Sequence, residues 1–202
     1  MEKVNNKRKW SGFIYLFLFL FCFYATDLAL QNDTFYTIKI GEWILEHGID
    51  FKDAFSFHNL PYTYPHWLFD ILIYLMYKLL SWPGVHLIVI SVMSIISFIF
   101  YNLLVKESNL KFFSLFVTLW FINFFTGFIC ARAQVFTYLF FLLEYLALSK
   151  YTKTLNRKYL YILPILSLLI SNFHCAVILC CLVSSISFCF CSSDKLGLFF
   201  IS

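Results

Sequence analysis

The sequence predicts an all-α fold, a polytopic membrane helical bundle, and three observations predict it. Of the 202 residues, 61% are hydrophobic and 13% charged, and the mean hydropathy is +0.80, the balance of a multi-spanning membrane protein rather than a soluble domain. Apolar blocks recur along the chain between short charged clusters, as expected of segments that must satisfy their own backbone hydrogen bonds in lipid. One polar stretch, Gln31 to Trp67, stands apart and holds five of the 11 acidic residues and three of the five histidines. Lipid burial of that stretch would carry a large desolvation cost. It is therefore placed at a membrane face, as an outer-face loop over residues 31–66 containing an interfacial helix, within a single transmembrane domain over residues 1–202.

The net charge of +4 is spread over short clusters between apolar blocks. No continuous basic surface follows the chain, so no nucleic-acid partner is expected, and the cations read as topology signals. The partner expected from composition is membrane lipid. All seven cysteines lie in or beside apolar runs and none forms a C-x-x-C pair, which describes inert thiols rather than a zinc or redox site.

Met1 to Trp10 carries Lys3, Lys7, Arg8 and Lys9 ahead of an apolar run from Phe13 to Ala25. A charged start and an apolar run also describe a signal peptide. The bulky run and the exit through Ala25-Thr26-Asp27-Leu28-Ala29 lack a small-x-small cleavage site, which favours a retained first span with a cytoplasmic N-terminus. Thr34 to Glu46 fits a helix, with Phe35, Ile38, Trp43 and Leu45 partly on one side, a cap at Thr34 and a stop at Gly48. Asp50, Asp53 and a Phe-rich turn then lead to Pro61 and Pro65, which disfavour continued helix.

Trp67 to Trp82 is apolar but short, carries Asp70 and Lys78, and is broken by Pro83-Gly84. Val85 to Val105 reads as a span, Lys106 to Lys111 as a polar loop and Phe112 to Ile129 as another span. Arg132 and Gln134 precede a further block, Val135 to Ser149. Lys150 to Lys158 is the most basic internal loop. Tyr159 to Phe190 is too long for one ordinary span, and Asp194-Lys195 marks an edge before a final apolar run, Leu196 to Ser202. If every block crosses, both basic loops fall outside, against the positive-inside tendency. If Trp67 to Trp82 is partial or re-entrant, both move inside and Arg132 and His174 share the outer side with Asp33. The second arrangement is favoured.

Several polar residues sit at edges where chemistry is available. Asp33 follows the first span, where a carboxylate serves either as an interfacial acid or helix cap, or as a general base toward an acceptor hydroxyl. His58 and His66 have no metal-ligand spacing, and His66-Trp67 also suits an aromatic belt. Arg132, beside Gln134 and with no adjacent acid, is suited to hold a phosphate in its guanidinium fork or to snorkel to the interface. Asn172 and His174 interrupt an apolar run, which fits either a buried polar network or substrate contact.

These residues carry a resemblance. Asp33-Thr34-Phe35-Tyr36, Gly41-Glu42-Trp43-Ile44-Leu45 with Gly48, Asp53 with Ser56-Phe57, and His66-Trp67-Leu68 together resemble the first outer loop of GT-C class integral-membrane glycosyltransferases. That class includes the dolichyl-phosphate-mannose-dependent protein mannosyltransferases and bacterial relatives. Ala131-Arg132-Ala133-Gln134 is similar to the group's Arg-Pro-Gln segment, with Ala133 in place of proline. Ser171-Asn172-Phe173-His174-Cys175 is similar to its Asn-x-His-Gly segment, with Cys175 in place of glycine. The resemblance covers roughly Asn5 to Val183.

It implies transfer of a sugar from a polyprenyl-phosphate-linked donor at the outer face of the plasma membrane, with inversion at the sugar carbon. Asp33 would be the catalytic base, Arg132 would stand near donor phosphate, and His66, Trp67, Gln134, Asn172 and His174 would form the substrate pocket. Some relatives use a divalent cation and others do not. Members of the class carry more spans, so the chain is expected to be an N-terminal fragment of such an enzyme or a disrupted gene product. The alternative class is a non-catalytic multi-spanning protein, a small transporter or assembly factor. A transporter would gather polar groups near the bilayer midplane, often in two related halves; here no internal repeat is evident and they gather at span edges.

Overall fold

The computed structural model describes residues 2–27, 32–53, 55, 57 and 60–174. Ser56, His58 and everything from Cys175 onward, including the expected second helix of the last apolar block and the Asp194-Lys195 edge, lie outside the described residues. The described residues are all-α: α1 (Glu2–Ala25), α2 (Asn32–His47), α3 (Trp67–Ser108), α4 (Lys111–Phe124), α5 (Gln134–Thr154) and α6 (Ile162–Phe173), with 3-10 turns at Thr126–Phe128 and Arg157–Tyr159. Their one extended pairing is an isolated bridge between Lys52 and Pro61. Among them one helix, α3, is long and apolar enough to cross a membrane.

That helix is organised around a break. Ser81 has φ 55 and ψ −145, outside the helical region, and divides α3 into two legs, residues 67–80 and 82–108. The expected break at Pro83-Gly84 therefore falls earlier, because a proline in the first turn of a helix loses no hydrogen bond and Pro83 simply starts the second leg. The legs meet closely at Gly84, where a Cβ would run into the Met76 carbonyl oxygen and lie 2.9 Å from Leu80 Cβ. The second leg alone is about 40 Å long at ~1.5 Å per residue, more than a hydrocarbon layer of about 30 Å.

α1 lies antiparallel along this second leg. Its buried line, Leu18, Cys22 and Ala25, recurs at helical spacing. Two contacts set the register: the Tyr15 hydroxyl donates to Asn102 Oδ1 at 2.7 Å, and Cys22 Sγ lies 3.3 Å from Ser97 Oγ. Cys22 and Cys130 are both buried, while the other five cysteines lie outside the described residues.

After Ser108 the chain reverses through Asn109, at φ 57, into α4. The small residues Ser114 and Thr118, followed by Ile122, let α4 approach the core closely. α4 ends at Phe124 rather than near Ile129; its 14 residues are about 21 Å long, short of a bilayer's hydrocarbon. The link after it is fixed to the end of α1, where Asp27 N–H donates to the Ile129 carbonyl at 3.0 Å. α5 then runs to Thr154, absorbing Lys150 and Lys153 that the sequence assigns to a loop. α6 presents Leu163, Leu166, Ile170 and Phe173 to the core, and Phe173 stacks on Phe136 of α5 at 4.9 Å. Asn172 thus stands in the last turn of α6 and His174 just past its end, in extended backbone.

α2 packs on the first leg of α3. Its buried residues are Thr34, Ile38, Ile40, Gly41 and Ile44, so of the four residues read as partly on one side Ile38 is buried while Phe35 and Leu45 are exposed. Gly41 decides this: a Cβ there would strike the Asp70 carbonyl and lie 2.7 Å from Tyr74 Cβ, so the backbones touch along the line through Gly41. Helix α2 also begins at Asn32, which places Thr34 inside the first turn and not at a cap.

Candidate functional site

Asp33 stands in the first turn of α2, where the positive end of the helix dipole favours a carboxylate. Arg132 lies 99 residues further on, in the link that precedes α5. A tight turn there, with Arg132 N–H donating to the Cys130 carbonyl at 2.7 Å, aims its side chain across the end of α2. Its Nη2 donates to Asp33 Oδ2 at 3.1 Å. The side chains are 43% and 71% exposed, so the pair is a water-facing contact rather than a buried anchor.

The ion pair stands over a cavity of about 340 Å³. Asp33, Tyr36 and Thr37 contribute the α2 wall, Tyr62, Pro65 and His66 the loop wall, and Phe69 the start of α3. Ala131, Arg132, Ala133 and Gln134 close the third side, and His174 the fourth. The His66 and His174 rings stack with centroids 5.4 Å apart and planes inclined by 24°. His174 Nδ1 lies 3.2 Å from the Thr137 hydroxyl of α5. Burial holds both imidazoles below their usual range, and at His66 the neighbouring His174 adds to the effect.

Of the seven residues singled out in the sequence, five line this cavity: Asp33, His66, Arg132, Gln134 and His174. The other two stand beside it. Trp67 donates its indole N–H to Asn172 Oδ1 at 2.8 Å, and Asn172 Nδ2 donates to the Leu168 carbonyl at 2.7 Å, so these polar groups are spent on each other and on α6. They hold the end of α6 against the start of α3 and so bring the two histidines together.

Tyr36, Thr37 and Tyr62 were not anticipated. Asp70, one turn into α3, is buried and hydrogen-bonded to Thr37, which places a second carboxylate behind the α2 wall. The loop that supplies Tyr62 and His66 is pinned by Tyr64, whose hydroxyl donates to Asp50 Oδ1 at 3.1 Å and the Lys52 carbonyl at 2.8 Å. Burial first, and then Asp50, pushes this phenol up to about 12, so it remains a donor throughout the physiological range. The spacing Tyr62-x-Tyr64-Pro65-His66 was the available signal, because a proline beside two phenols marks a rigid loop.

Among the described residues no three His, Cys, Asp or Glu side chains gather as metal ligands. At the cavity, Asp33 is engaged by Arg132, and the ring nitrogens of two nearly parallel imidazoles do not converge on one point. These groups form no ready-made cage for a divalent cation.

Comparison with protein-family models, with curated proteins and with solved structures finds no match for the chain. The class that the described fold defines is an all-α protein with one helix able to cross a membrane and a polar cavity built from four separate segments.

Proposed function

We propose that the chain belongs to a GT-C-like membrane glycosyltransferase, which transfers a sugar from a polyprenyl-phosphate donor at the outer membrane face. The observation that carries this reading is the meeting of Asp33 and Arg132 over a cavity that also holds His66, Gln134 and His174. In this reading the molecule is polytopic: α1 and the second leg of α3 cross in opposite directions, the N-terminus is cytoplasmic, and the first leg of α3 is a partial element beside the outer cavity.

The chemistry asks for two opposed charges within reach of one reacting centre. An acceptor hydroxyl attacks the sugar carbon while Asp33 takes its proton, and the bond from that carbon to the phosphate oxygen breaks on the far side. The leaving phosphate gains a negative charge as it departs, and a guanidinium beside it stabilises that charge most when it is fully developed. Before the donor arrives, Asp33 occupies Arg132; a donor phosphate competes for the guanidinium and releases the carboxylate to act as base. Gln134 supplies an amide to sugar hydroxyls.

The test is sugar transfer from a radiolabelled polyprenyl-phosphate sugar in native membranes, beside an Asp33→Asn protein of equal abundance. Loss of a positioned base lowers the rate by about 10²-fold or more. Undiminished transfer by the Asp33→Asn protein sinks Asp33 as the base. No transfer by either protein, with both inserted, favours a non-catalytic multi-spanning membrane protein.

A further inference from the structure

We infer that the stacked pair His66–His174 carries one exchangeable proton and that the cavity takes up a phosphodiester anion together with that proton. This deepens the reading of the cavity as a donor-phosphate site and rests on it.

The two rings arrive from distant parts of the chain, one at the start of α3 and one just beyond α6, yet stack at 5.4 Å in the wall of one cavity. The ionisable groups around them come from every neighbouring element. α2 brings Asp33 and the phenol of Tyr36, the loop brings Tyr62, and the link before α5 brings Arg132. The first turn of α3 holds the buried carboxyl of Asp70, and α5 presents the hydroxyl of Thr137 to His174 Nδ1. Burial, and then the neighbouring Tyr62, push the Tyr36 phenol up, so it stays neutral at ordinary pH. Asp33 and Arg132 cancel one another. With both imidazoles neutral, the lining therefore offers an anion no excess positive charge.

One proton on the pair changes this. An imidazolium stacked on a neutral imidazole is tolerated, since a cation is attracted to an adjacent ring face. Two imidazolium rings face to face in a half-buried wall are opposed both by burial and by mutual repulsion, so the pair titrates as a unit and accepts its second proton with difficulty. Burial already holds both rings in the neutral form near neutrality. An anion placed beside Arg132 reverses the balance by favouring the charged ring, and reciprocity requires the proton to favour the anion by the same factor.

The test is calorimetric titration of the full chain in detergent with a short-chain prenyl phosphodiester, whose own charge is constant over about pH 5 to 8, the range in which imidazoles titrate. Two buffers of different ionisation enthalpy count the protons taken up. The expected result is an uptake approaching one proton per ligand, with affinity rising by up to about tenfold per pH unit as pH falls. His66→Gln and His174→Gln should each cut the uptake. A parallel titration with dimethyl phosphate distinguishes a lipid-borne phosphodiester from a free one. Binding without proton uptake, or uptake unchanged in both glutamine proteins, overturns the proton-coupled pair while the phosphate site stands. No binding of either probe at any pH by a folded, monodisperse protein overturns the phosphate site and the pair with it.

Discussion

Trp67 and Asn172, 105 residues apart, share one hydrogen bond of 2.8 Å, and that bond holds His66 and His174 in register. Asn172→Leu would leave the partly buried indole N–H without its acceptor. The expected loss is about 1–3 kcal/mol, read as a lower melting temperature in detergent. Asn172→Asp keeps an acceptor oxygen at the same place, so it should lose less.

Gly41 marks a close approach of α2 to α3. Gly41→Ala would drive a methyl group into the Asp70 carbonyl and Tyr74, both carried by helix backbone that yields little. Overpacking of this kind costs about 1–3 kcal/mol. The α2 wall of the cavity, with Asp33 and Thr37, should move with it, so this substitution is expected to weaken ligand binding as well as lower the melting temperature. A Gly41→Ala protein with unchanged stability and affinity would show that the two helices are less tightly apposed.

Ser81 adopts a positive φ that suits glycine better than serine. Ser81→Gly is expected to stabilise the protein by up to about 1 kcal/mol, the scale of the strain relieved. Ser81→Val should destabilise it by more, because a branched Cβ fits that conformation worst. Denaturation of the three proteins side by side checks the order Gly, Ser, Val.

His66 and His174 predict how stability follows pH. Both folded-state values lie below the unfolded imidazole value of about 6.5. Between the folded and unfolded values the unfolded chain binds more protons, so stability rises with pH through that window. Their contribution is complete above about pH 6.5 and is lost as pH falls through the folded values. Melting temperatures at about pH 7.5 and about pH 5, either side of the imidazole range, should differ more for the wild type than for the His66→Gln, His174→Gln double variant. An equal difference in both would place the sensitivity elsewhere.

The helical class was legible because composition and the apolar blocks both require it, and α2 was legible because Gly48 stops it at a φ of 79. Five cavity residues were legible for a different reason. Asp33, His66, Arg132, Gln134 and His174 are polar groups at the edges of apolar blocks, where desolvation tolerates them and where one face collects them. Whether Trp67 and Asn172 meet a ligand or each other was not legible, since that depends on the docking of α6 against α3. Nor was the length of α4, because Phe125 to Ile129 is as apolar as the helix before it, and only its turn around Gly127 separates them. Ser81 was hidden by Pro83, a louder signal two residues away.

The cavity draws its walls from residues near 35, 65, 132 and 174, and this imposes an order on its assembly. As the chain is synthesised, Asp33 is made before α3 and α4 and waits for both until Arg132 reaches it, and for α5 and α6 as well until His174 does. A nascent chain halted anywhere within α6 would hold Asp33, Arg132 and His66 but lack the second imidazole, His174. The four walls therefore close only once residue 174 has been made, so a chain stopped short of that residue cannot hold a finished cavity.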